Sequence, residues 1–259
     1  NRYPVEAMWN TMIAGVVFGH PSIESLRREL MRNPSLRWAC GFTGQGVPSP
    51  AAFTRFLHNL IECQEWIDQM FDDLVDRIRD LLPDFGRRLA IDSKAIESRA
   101  RRRPSKTQED GRRDLDADWG RKTYAGVDAS GKAWTKIVTW FGYKLHLIVD
   151  ADTELPVAWR VTEASASDIT VGREMIEELA ETREDIVETC EELTADKGYD
   201  DTKLIRSLWD DHDIRPVIDI RNMWKDRQYK KLSRWETVEY DYRGAVYCVC
   251  PVTRERRRM

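Results

Sequence analysis

Glu191-Glu192-Leu193-Thr194-Ala195-Asp196 is a short run of strand character ending in an acid. Leu89-Ala90-Ile91-Asp92, 104 residues earlier (196 minus 92), has the same form. Asp is a poor residue for a strand interior, so both patterns predict a strand with a carboxylate at its carboxyl end. Two hard carboxylates at neighbouring strand ends can hold Mg²⁺ or Mn²⁺ and leave several water positions on the ion. Two such ions roughly 4 Å apart can stabilise both oxygens of an in-line phosphoryl displacement. The alternative is structural: Asp92 precedes Ser93-Lys94-Ala95-Ile96 and Asp196 precedes Lys197-Gly198-Tyr199, so either could cap a following helix.

The chain between the two acids reads first as strands, then as alternating helix and strand. Thr123–Val127, Lys136–Val149 (broken at Gly142) and Leu155–Thr162 are rich in Val, Ile, Trp and Tyr. Asp128-Ala129-Ser130-Gly131 and Asp150-Ala151-Asp152-Thr153 supply the turns between them. Ile169–Arg183 has a helical period, with Asp168 as candidate N-cap; beyond Asp196 come a helix over Thr202–Trp209 and a strand over Arg215–Ile220. This order predicts an α/β fold, a mixed sheet with flanking helices. The polar stretch Glu97–Lys122 reads as a loop.

A small all-helical N-terminal domain precedes this sheet. Ser22 can cap Ile23–Met31, which Asn33-Pro34 closes, and Ser49-Pro50 starts another helix. Phe53, Phe56, Leu57, Leu60 and Ile61 follow at the spacing of one buried stripe. A second stripe, including Trp66, Met70, Leu74, Val75 and Leu81, runs to Pro83 and is expected to be core. The expected division is residues 1–86 and 87–259, with 224–259 the start of an inserted strand-rich segment.

Of the 259 residues 41% are hydrophobic and 33% charged, which excludes a disordered chain, a collagen or a rod. No apolar run reaches the roughly 18 residues of a membrane helix, so no membrane partner and a cytoplasmic, nucleoid-associated location are expected. Five cysteines do not make a disulfide framework, and the spacing of Cys248-Val249-Cys250 does not suit a zinc knuckle. The net charge of −4 hides a pattern. Glu97–Lys122 has nine basic against six acidic residues, Asp219–Met259 eleven against six, and Val171–Glu192 two against nine. A phosphate-binding protein needs a local positive face, not a positive total. From charge alone, solvated loops explain the basic segments better than DNA contact does.

Six segments in order carry a family resemblance. Ala195-Asp196-Lys197-Gly198-Tyr199-Asp200 resembles the block around the second acid of bacterial insertion-sequence transposases of the DDE superfamily, and Leu89-Ala90-Ile91-Asp92-Ser93 resembles their first-acid strand. Phe141-Gly142-Tyr143-Lys144-Leu145-His146 is similar to the family's Gly-Tyr-Lys-x-His strand. Pro156-Val157 with Glu163–Asp168, and Ile214–Ile218, resemble the segments that flank the second acid. Tyr3–Ala7 and Ser49–Phe56 look like the helical amino-terminal domain.

The resemblance implies a ribonuclease-H-like core and cut-and-paste transposition of double-stranded DNA. Asp92 and Asp196 would be catalytic acids and ligands of Mg²⁺ (or Mn²⁺). Strand cleavage at the element end would be followed by attack of the freed 3′-hydroxyl on target DNA, the protein acting as a homodimer on paired ends. The helical domain would help bind the end. Arg101, Arg102, Arg103, Lys94, Lys144 and Lys197 would contact the phosphate backbone, with Tyr143 and His146 supporting. Alternation along the strand puts Lys144 and His146 on one face, opposite Tyr143, with His146 a hydrogen-bonded partner of a carboxylate. The third acid is not evident: Glu236 and Glu239 lie in a strand-like segment and Glu255 in the basic tail. The chain starts at Asn1 and reads as a fragment, with the catalytic Glu expected beyond Met259. A metal-dependent nuclease on the same fold, or a non-catalytic DNA-binding protein derived from a transposase, are the alternatives.

Overall fold

The computed structural model describes residues 3–44, 46–98, 100, 114–128, 130, 132–221, 228–232, 234–241 and 244–259. The expected contacts Arg101, Arg102 and Arg103 lie outside them. Two compact units are present, Asn1–Asp76 and Arg77–Met259.

The first unit is helical: α1 Val5–Val17, α2 Ile23–Arg32, α3 Pro34–Ala39, α4 Pro50–Glu62 and the start of α5 Gln64–Leu81. Side-chain caps set the starts, at Ser22 and Ser49 as the sequence suggests and at Asn33, which in the sequence reading only closes the preceding helix. Ser22, Asn33 and Ser49 oxygens accept from the amides of Ser25 (3.2 Å), Leu36 (3.0 Å) and Ala52 (3.3 Å). Each satisfies an amide that the first helical turn leaves without a partner. The core joins Met8, Leu30, Phe42, Phe53 and Phe56.

The second stripe corrects an expectation. The helix α5 forms as read, but Trp66, Leu74 and Leu81 are 77%, 51% and 79% exposed and only Val75 is buried. The core of this unit is closed by residues of α1 to α4 and the segments between them, so the period of α5 builds an amphipathic helix without burying its stripe.

The second unit is a mixed sheet built from β1 Arg88–Glu97, β2 Asp118–Val127, β3 Ala133–Asp150, β4 Pro156–Glu163, β5 Glu192–Ala195 and β6 Arg215–Ile218. Its strands run in the order β2-β3-β1-β5-β6, with β4 also paired to β3; β4-β3-β1 are antiparallel and β1, β5 and β6 mutually parallel. An antiparallel meander is thus followed by parallel crossovers, the mixed α/β sheet that the sequence reading expects. Between β4 and β5 lie α6 Asp168–Thr182 and α7 Glu184–Thr189; between β5 and β6 lies α8 Thr202–Arg206, continued by a π turn over Ser207–Asp211. One face of α6 (Val171, Met175, Ile176, Leu179) is buried, and the helix packs on β1, β3 and β4.

Two strand boundaries differ from the sequence reading. β3 is 18 residues long because its first half pairs with β2 as a ribbon while its second half lies between β1 and β4. The stretch read as a loop therefore contains strand from Asp118, since a long partner strand was there to pair with it. Gly142 marks the changeover: it sits at φ +153°, and a Cβ there would come within 2.2 Å of the Ile96 carbonyl oxygen. Only glycine fits. A separate antiparallel sheet, β7 Lys230–Leu232, β8 Trp235–Tyr240, β9 Val246–Val249 and β10 Arg256–Arg258, forms the strand-rich end. Among the described residues, no helix is long and apolar enough to cross a membrane.

Candidate active site

Strand pairing brings the two acid-ended runs together. β1 and β5 pair in parallel from Arg88↔Glu192 to Ile91↔Ala195. Asp92 and Asp196 therefore occupy the next position on adjacent strands, directly after the last paired residues. Leu89, Ile91 and Leu193 are buried on one face of the sheet; the period of two places Asp92 on the other face, where it and Asp196 are both exposed.

Asp92 does not close its strand. β1 continues for five residues to Glu97 because β3 goes on pairing with it, Asp92 opposite Leu147 and Glu97 opposite Gly142. Only the β5 side of β1 is vacated at Asp92, so the carboxylate stands at the end of one ladder and inside another. The Asp92 Oδ1 accepts from the Ser93 amide at 2.7 Å. Asp196 does act as a cap: its Oδ1 accepts from the Gly198 amide at 2.7 Å and starts the short 3₁₀ turn Lys197–Tyr199. The capping and metal readings are thus compatible, since each carboxylate binds a backbone amide through a single oxygen.

On the opposite face, a second cluster ties α6 to the sheet. The Lys144 ammonium donates to the Asp168 carboxylate at 3.0 Å and to the Ala166 carbonyl at 2.6 Å. The Ser93 hydroxyl donates to the same Asp168 oxygen at 3.0 Å. Asp168 is therefore not the cap; Ser167 is, accepting from the Thr170 amide at 3.5 Å, and Asp168 anchors the first turn of the helix to β1 and β3. His146 is fully buried beside this cluster, as alternation with Lys144 requires, and burial pulls its pKa below the usual histidine range. Its Nε2 meets the Thr162 hydroxyl at 3.0 Å, a hydroxyl partner where a carboxylate was expected. Tyr143 points the other way and donates to Asp114; burial and that carboxylate push its phenol up to about 12.

Three residues with clear positions had no strong sequence signal. Arg221 clamps the turn after Asp196: its backbone amide donates to Asp200 at 2.7 Å and its guanidinium donates to the Lys197 carbonyl at 2.8 Å and to the Gly198 carbonyl. Ser93 differs from its neighbours only in facing α6. Tyr199 is buried, and burial together with the charges of Asp168, Asp92 and Asp196 raises its pKa strongly. Lys94 and Lys197 are exposed next to the two acids. Glu239 pairs with Arg256 on the small sheet, and among the described residues no three acids, histidines or cysteines converge on one metal-sized position.

Two family models match the chain: a transposase DDE domain over residues 83–257 and a transposase domain (DUF772) over residues 1–59. No curated protein matches it. A solved structure similar to it is the cryo-EM structure of the piggyBac transposase synaptic complex with hairpin DNA, with a TM-score of 0.41 and 13% identity. That likeness covers 95% of this chain and 48% of the other, so the chain spans about half the length of the protein it matches. The first of the family models covers more than half of the chain, acid-bearing strands included, and the chain belongs to the transposase DDE domain family.

Proposed function

We propose that this chain carries the phosphoryl-transfer site of a DNA transposase, with Asp92 and Asp196 as two of its acids. The observation that carries this reading is the β1–β5 register, which sets two carboxylates from distant parts of the chain side by side. Their oxygens are hard donors of the kind that Mg²⁺ and Mn²⁺ prefer, and two carboxylates plus a substrate phosphate are a usual ligand set for such an ion. When bound, the ion supplies Lewis-acid stabilisation of the oxygens around the scissile phosphorus.

The remaining work belongs to positioning. Arg221 and the Gly198 amide hold the turn that carries Asp196. The Lys144–Asp168–Ser93 cluster fixes β1 and β3 against α6 and so fixes Asp92. Lys94 and Lys197 supply positive charge to the DNA backbone beside each acid, and the helical unit binds the element end. Water is the first nucleophile and the freed 3′-hydroxyl the second, on double-stranded DNA held by two copies of the protein.

A second reading, a non-catalytic DNA-binding protein of the same descent, is favoured by one observation. No third carboxylate joins the pair among the described residues, and Glu236, Glu239 and Glu255 do not fill that role. Calorimetric titration with Mn²⁺, against the Asp92→Asn/Asp196→Asn double variant, tests the assignment. Binding that the double variant loses is the expected result. Equal binding by both proteins would remove the two acids from the metal site.

A further inference from the structure

The strand ladder that aligns the two acids stops just short of them. Its last pair is Ile91↔Ala195, so the ladder does not reach the turn Lys197–Tyr199 that Asp196 caps. Asp92 is supported by β3 and by the Ser93–Asp168 bond, and the Asp196 turn is held by Arg221. Neither of these supports spans the gap between the two acids. A side chain of the turn does. Tyr199 is 1% exposed and is the largest side chain so deeply buried among the described residues.

Its ring packs into a notch in α6. Gly172 lies inside that helix, where glycine is a poor residue. The packing supplies the reason: a Cβ at Gly172 would come within 2.9 Å of the Tyr199 ring and 3.3 Å of the Ile91 Cδ1. One bare point on the helix therefore meets both the residue before Asp92 and the third residue after Asp196. Gly172 is one turn beyond Asp168, which Ser93 and Lys144 hold against β1 and β3. The helix is thus registered on β1 by a polar anchor, and it meets the Asp196 turn through the ring. In a close-packed interior, a change of volume at such a junction moves the elements that share it.

We propose that Tyr199 is a positioning residue for the acid pair: its ring, seated in the Gly172 notch, spaces the Asp196 turn from β1 and so sets the separation of the Asp92 and Asp196 carboxylates. It acts through the turn, not on the substrate. The proposal rests on the reading of the two acids as metal ligands and deepens it. Groups that orient metal ligands from behind are worth about ten- to a hundredfold in affinity. The ring carries the role and not the hydroxyl, since the approach to Gly172 is made by ring carbons.

Mn²⁺ calorimetry and amide hydrogen exchange of the Tyr199→Leu, Tyr199→Phe and Gly172→Ala variants test it. Leu179→Ala, a truncation at a buried position two turns farther along α6, is the control for lost stability alone. Tyr199→Leu and Gly172→Ala are each expected to weaken Mn²⁺ binding about tenfold. The Tyr199 and Gly198 amides donate to the Asp196 carbonyl at 3.0 Å and to its carboxylate at 2.7 Å. Their exchange should speed up in both variants by more than that of the amides within β1 and β3. Tyr199→Phe should match the parent in both readings. Leu179→Ala should lower the melting temperature without changing Mn²⁺ affinity or singling out the two turn amides. Because ring and notch act through one contact, Gly172→Ala/Tyr199→Leu should bind no more weakly than the worse single variant. Parent-like affinity and exchange in Tyr199→Leu overturns the assignment, as does an equal effect of Leu179→Ala or of Tyr199→Phe. If the parent chain binds no Mn²⁺, the acid-pair reading fails by itself, and the exchange pattern alone then supports or overturns the positioning of the turn.

Discussion

Asp150 ends β3 with a carboxylate that is fully buried, a placement that is costly unless every oxygen is satisfied. One oxygen accepts from the Thr153 amide and hydroxyl, each at 2.8 Å, and from the Asp152 amide at 3.2 Å. The other accepts from the Gly86 amide at 2.9 Å, 64 residues away. The first set makes the turn that the sequence Asp150-Ala151-Asp152-Thr153 announces. The Gly86 bond fastens the chain just ahead of β1, and so helps to set where Asp92 falls. Removing the carboxylate leaves the buried Gly86 amide without its acceptor and undoes the turn at Asp152 and Thr153. Asp150→Ala should therefore lower stability by about 3 kcal/mol, read as a shift of the urea midpoint at unchanged m-value. An unmoved midpoint would mean that the turn holds without it.

At the scale of the element, α5 and β1 show how far a periodic pattern reaches. The period of α5 specifies a helix with an apolar face, and the helix is there; what lies over that face is not written in the period. Neighbouring residues make the contrast measurable. Val75 is buried and Leu74 is half-exposed on the same helix. Val75→Ala should cost about 2 kcal/mol, the value of a truncated core side chain. Leu74→Ala should change stability by less than about 0.5 kcal/mol, as surface substitutions do. Thermal melts of the two variants compare them directly, and equal losses would show that the stripe is covered in solution. In β1, the apolar run stops at Asp92 but the strand does not, because β3 supplies a partner for five more positions, Ser93 to Glu97.

At the scale of the molecule, the charge segments sort by location. The acidic segment is the outer surface of α6 and α7, where Glu174 and Glu178 are matched by Arg160 of β4 and Glu177, Glu181 and Glu188 are exposed. Lys94 and Lys197 are exposed beside the two acids, Lys94 on the same face of β1 as Asp92 and Lys197 directly after Asp196. A polyanion is steered to the second region and away from the first. Glu177→Gln/Glu181→Gln/Glu188→Gln should accordingly leave duplex DNA affinity within about threefold or raise it, since surface charges away from an interface act only through the screened long-range field. Weakened binding in a gel-shift titration would place DNA on the helical face.

The local signals proved dependable because they depend on near neighbours. Caps at Ser22 and Ser49, the turn at Asp150, the helix α6 and the run that ends in Asp196 are all set within a few residues of chain, and each stands where its sequence places it. The family resemblance, read from six such blocks in order, is matched by the family models over nearly the whole chain. What the tertiary structure alone decided is every relation between distant segments. It set Asp92 beside Asp196 and gave β1 its length through β3. It gave Asp168 to Lys144 and Ser93, turned His146 to Thr162, and brought Arg221 to the second-acid turn. A side chain's period fixes the face it occupies; register and burial depend on which partner strand or helix arrives there, and that partner lies elsewhere in the sequence.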